Sequence, residues 1–72
     1  MQDTLINSPA GAQALVIAVN ADDKERKRLE SMGILPGIEV SVLANNGGQV
    51  LAAVGEGRVV VERTIASAVI VV

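Results

Sequence analysis

Asp22, Asp23 and Glu25 are the residues of this 72-residue sequence whose types and spacing come nearest to chemistry. Three carboxylates packed this closely can hold a hard cation weakly through oxygen donors. The same residues also satisfy a structural pattern. Asp22 suits a helix N-cap, Glu25 stands three residues later as in a capping box, and Asp23 places negative charge in the first turn. The match to the capping rule favours the structural role, and the trio stays a weak metal candidate. Ferrous iron prefers some imidazole or thiolate, and the chain has no histidine and no cysteine.

The same two absences remove most general bases and nucleophiles. Ser31 and Lys27, four apart, make one Ser–Lys pair of catalytic type. A helix-end serine and a solvated lysine account for them more simply. Gly55-Glu56-Gly57 is too short for a dinucleotide fingerprint, and Asn45–Gly48 lacks the Lys-Ser/Thr of a phosphate loop. Both are turns. The expectation is a protein that is not an enzyme and carries no cofactor.

Lys24, Arg26, Lys27 and Arg28 form a basic run interleaved with acids, and Asp22–Arg26 and Asp23–Lys27 are i,i+4 pairs in the favourable order. A solvated helix face is the simplest account. Arg28 differs, because it borders an apolar stripe of Leu29 and Met32. Its stem can pack while its guanidinium faces outward. Net charge is −2 and there is no aromatic residue. Nucleic acid is therefore excluded as a partner, for want of both a basic surface and stacking platforms. The run Ala14–Val19 is far short of the roughly 20 residues that cross a bilayer. Asp3 stands where a signal peptide carries basic residues. A cytoplasmic protein without membrane insertion is expected.

The elements that must position these residues are mostly strands. Ala14–Val19 is a short apolar strand with a larger face of Leu15, Ile17 and Val19 and a smaller one of Ala14, Val16 and Ala18. One helix follows Asp22 and stops at Gly33, with Pro36 forbidding a restart. Ile38, Val40 and Val42 alternate with Glu39 and Ser41. Asn45-Asn46-Gly47-Gly48 is a hairpin turn, Gln49–Val54 returns from it, and Gly55–Gly57 turns again. Val59 and Val61 alternate against Arg58, Val60 and Glu62. Arg63–Ala68 holds a helical turn, and Val69–Val72 is a last strand. That run would be an aggregation hazard as an open edge, so it pairs with the first strand or with a neighbouring subunit. Met1–Gly11 reads as a lead-in. The whole, 1–72, reads as one domain: a mainly β, small closed barrel of about five strands, with one short helix between the first and second.

Arg28-Leu29, Met32-Gly33-Ile34 and Pro36-Gly37 together resemble the FeoA-domain signature R-L-x-x-[LM]-G-[IL]-x-P-G, which joins the helix to the second strand. Downstream, Val40 and Val42, Val59–Val61 with Arg63, and Ile70 with Val72 resemble further strands of that family, so the likeness runs from about Leu15 to Val72. Ser67 stands at a small-residue position of the family, and the loop Asn45–Gly48 is shorter than the family's usual proline-containing one. The resemblance implies an SH3-like barrel. It also implies a cytosolic accessory role in ferrous iron uptake, acting as an interaction module on the cytosolic part of the membrane transporter FeoB, with its GTP-binding domain as one target. Within the motif, Leu29, Met32, Gly33, Ile34, Pro36 and Gly37 serve the corner, and Arg28 and Leu35 are the partner-contact candidates. Two other classes stay open: an SH3-like module binding peptides by strand addition, and a self-assembling or weakly metal-binding subunit. Proline-rich ligands need an aromatic-lined groove, which this chain lacks.

Overall fold

The computed structural model describes residues 2–72. Six strands and three short helical elements follow in the order β1 (Asp3–Thr4), a 3₁₀ turn (Leu5–Asn7), β2 (Gln13–Val19), α1 (Asp23–Ser31), β3 (Glu39–Asn45), β4 (Gln49–Val54), β5 (Gly57–Glu62), α2 (Arg63–Ala66) and β6 (Val69–Val71). The strands lie in the order β1-β6-β2-β3-β4-β5, and every pairing is antiparallel. The mainly β expectation holds, with one strand more than expected. The sheet is not closed: β1 and β5 end it and do not pair with one another.

β2 is the strand on which the sheet bends. Its first half pairs with β3, from Gln13↔Ser41 to Leu15↔Glu39, and its second half with β6, from Val16↔Val71 to Val19↔Val69. The register shifts between Val16 and Ala18, and an irregularity of this kind sharpens the local twist. The first half of β2 buries its smaller side chains, Ala14 and Val16, and leaves Leu15 exposed; past the register shift Ala18 is exposed and Val19 packs against the core. Val16 shares one core with Val40 and Val42 of β3 and Val69 and Val71 of β6, the two strands that β2 joins.

β6 pairs with β2 as expected and extends through Leu15 and Val72, which exchange two backbone hydrogen bonds of 3.0 Å. The lead-in expectation for 1–11 is corrected. β1 pairs with β6, and Leu5 is fully buried in the common core. Asn45 holds this segment down: its Nδ2 donates to the carbonyls of Ile6 and Ser8, each at 2.8 Å. Its Oδ1 accepts from the Gly47 amide, while Asn46 Oδ1 accepts from Gly48 and Gln49. The Asn-Asn-Gly-Gly turn thus serves both the hairpin and the N-terminal segment.

Candidate partner-docking site

Asp22 caps α1 as its spacing predicts, its Oδ1 accepting from the Glu25 amide at 2.9 Å. The reciprocal half of the capping box does not form. The Glu25 side chain makes no hydrogen bond back to Asp22, and its Oε2 is buried without a partner. Asp23 pairs instead with Arg26, three residues on. The expected i,i+4 pairs Asp22–Arg26 and Asp23–Lys27 are absent among the described residues, because capping commits Asp22 and the nearer Arg26 takes Asp23. The three carboxylates therefore have three separate tasks. Among the described residues no group of three acidic side chains converges as a metal site would require.

The C-terminal end of α1 is a Schellman motif. The Gly33 amide donates to the Glu30 carbonyl and the Ile34 amide to the Leu29 carbonyl, both at 2.9 Å. Gly33 has φ +87°, and a Cβ there would meet Val54 Cγ1 at 3.1 Å. Leu29 and Ile34 are both buried and enter the core together, the hydrophobic contact that accompanies this motif. Leu35-Pro36-Gly37-Ile38 is then a tight turn, with Gly37 at φ +94° and the Ile38 amide on the Leu35 carbonyl. The Gly37 amide and Ile38 carbonyl bond to Val16, which fixes the corner to β2. Most of the motif is thus occupied in making this corner.

What remains free flanks α1 on two sides. One groove runs between α1 and β5, with Arg28, Glu25 and Met32 on one wall and Val60, Glu62 and Ile65 on the other. A second runs between α1 and β2, where Leu35, Pro36, Arg26 and Glu30 face Ile17 and Val19. Arg28 and Leu35, both exposed, therefore line different grooves, and a partner touching both must straddle α1. Sequence reasoning missed the β5 wall. Val60 carried the signal, as an apolar residue on the outward face of an alternating strand, and it is 54% exposed.

The site is thus a small, twisted, six-stranded sheet with a helix lying against it and a groove on each side of that helix. The FeoA domain model matches residues 4–72, and the chain belongs to that family. A crystal structure of an iron uptake regulatory protein, FeoA, is 28% identical and superposes with a TM-score of 0.93, covering 99% of this chain and 96% of its own. The Stenotrophomonas maltophilia FeoA, complexed with zinc, is 31% identical with a TM-score of 0.80, over 96% of this chain and 88% of that one. It is described as an SH3 domain protein and a candidate ferrous iron transport activating factor, and the SH3-like expectation agrees with it. A manganese-dependent transcriptional repressor is 25% identical with a TM-score of 0.87; the match spans 99% of this chain and 40% of the repressor. No curated protein matches the chain in sequence. No helix among the described residues is long and apolar enough to cross a membrane.

Proposed function

We propose that this chain is a non-catalytic accessory protein of ferrous iron uptake that docks on the cytosolic part of the transporter FeoB. Family membership over nearly the whole chain carries the proposal. It is supported by the exposure of Arg28 and Leu35 on either side of α1, in a segment otherwise committed to the corner. On this reading the protein works in the cytoplasm, at the inner face of the membrane through its partner.

A metal is not part of the proposed mechanism. The zinc-bound relative raises the question, but Asp22, Asp23 and Glu25 do not fit a resident transition metal. Their oxygens are divided among a cap, an ion pair and a groove, and neither imidazole nor thiolate is available. What these carboxylates offer is weak, hard-cation binding at most.

The test is a pull-down with the purified cytosolic domain of FeoB, nucleotide-free and loaded with GDP or a GTP analogue. Wild type binds in at least one state, and Arg28→Glu and Leu35→Asp weaken binding while leaving the fold intact. Absence of binding in every state refutes the proposal.

A further inference from the structure

We infer that the groove between α1 and β5 takes an extended segment of a protein partner by strand addition, with a lysine or arginine of that segment seated on Glu25. This rests on the interaction role proposed above and names its surface and the chemistry of its occupant.

The first observation is the free edge of β5. Its register with β4 runs from Gln49↔Glu62 to Val54↔Gly57, and the Arg63 amide donates to the Gly48 carbonyl at 3.0 Å. Antiparallel ladders alternate. The main-chain groups of Val59 and Val61 therefore face β4, and those of Arg58, Val60 and Glu62 point the other way. No strand lies on that side among the described residues. A row of unpaired amides and carbonyls is a template for another extended chain.

The second observation is charge. Glu25 lines the same groove, and one of its carboxylate oxygens, Oε2, is buried without a hydrogen-bond partner. Leaving such an acceptor unpaired is unfavourable. Arg28 lines the same groove yet forms no ion pair with Glu25 or Glu62, the Asp23–Arg26 pair being the one salt bridge among the described residues. The lining thus carries two carboxylates against one guanidinium. Beneath them lie Leu29, Met32 and Ile65. Apolar floor and anionic end match a long basic side chain, whose methylenes pack while its cationic head reaches the carboxylate. An acidic or wholly apolar segment would leave Glu25 unpaired. The enclosed space is only about 60 Å³, far below small-molecule sites, so the end of one side chain enters it while the segment's backbone lies along the β5 edge.

The probe is a capped seven-residue peptide of alternating threonine and valine with a central lysine, titrated into the isotope-labelled protein by NMR. Amide shifts are expected in Arg58–Glu62 and on the Glu25–Met32 face of α1. Replacing the lysine by glutamate weakens binding about tenfold, the loss of one charge-assisted contact. Glu25→Gln abolishes that preference. Val60→Pro removes an outward amide without touching the β4 ladder, so it leaves the fold intact and eliminates binding. Shifts confined to β1 and β6, a lysine preference that survives Glu25→Gln, or no saturable binding overturns the inference. Should Val60→Pro fail to fold, the peptide pair and Glu25→Gln still decide. The same variants in the FeoB pull-down separate the two proposals. Equal binding by wild type and both variants removes the groove and leaves the proposed function standing. Lysine-peptide binding without FeoB binding does the reverse.

Discussion

Leu5→Ala is expected to cost this protein a large share of its stability. Leu5 is fully buried, yet it lies in a segment whose sequence looks like a tail. The substitution removes three carbons from the core. At about 0.8 kcal/mol per buried methylene, transfer alone accounts for roughly 2.4 kcal/mol. The cavity adds to this, since the surrounding Val and Ala side chains are anchored in strands and collapse only partly, so the total falls at about 3–5 kcal/mol. At about 0.05–0.15 kcal/mol per residue, a 72-residue chain has about 4–11 kcal/mol in all. The variant is therefore at best marginally folded at room temperature. With no tryptophan or tyrosine to report by fluorescence, urea unfolding is followed by far-UV circular dichroism or by NMR. The midpoint falls sharply while the slope is kept, because the exposed area on unfolding scarcely changes. A loss below about 0.5 kcal/mol, the scale of a surface substitution, would refute the placement of Leu5 in the core.

Three further outcomes follow from particular contacts. Gly33→Ala and Gly37→Ala both place a side chain at positive φ, but only the first brings a Cβ within 3.1 Å of another atom, Val54 Cγ1. Each costs about 1–2 kcal/mol for conformation, with Gly33→Ala the worse by calorimetry; an equal or larger cost at Gly37 contradicts the crowding argument. Asn45→Ala loses both donors to Ile6 and Ser8 and costs about 1–3 kcal/mol, with amide exchange quickening first in residues 5–8. Asp3 is held below the ordinary aspartate range by the Asn7 side chain and then by the Thr4 amide. Its contribution is thus present above the unfolded value of about 3.9 and is lost as pH falls through the lower folded value. An NMR titration should show the Thr4 amide moving only at strongly acidic pH, and Asp3→Asn should remove that step.

Local chemistry determined much of this protein in advance. The α1 boundaries were legible because capping at Asp22 and termination at Gly33 depend on a few adjacent residues. The hairpin at Asn45–Gly48 and the outward position of Val60 were legible for the same reason. The motif Arg28–Gly37 was sufficient to indicate the family. Tertiary structure decided the rest. Two residues of β1 and a single 3₁₀ turn have no periodicity to detect, and Leu5 became core only because β6 offered an edge and Asn45 two donors. Which residues of β2 face the core changes at its register shift, from Ala14 and Val16 before it to Val19 after it, and simple alternation along the strand does not foresee that change. Glu25 has the spacing of a capping box, yet its carboxylate is left unpaired beside β5. Arg28 and Leu35, seven apart in the chain, were separated into two grooves because α1 lies between them. These outcomes depend on contacts between residues distant in sequence, and that geometry exists only once the sheet has bent around its core.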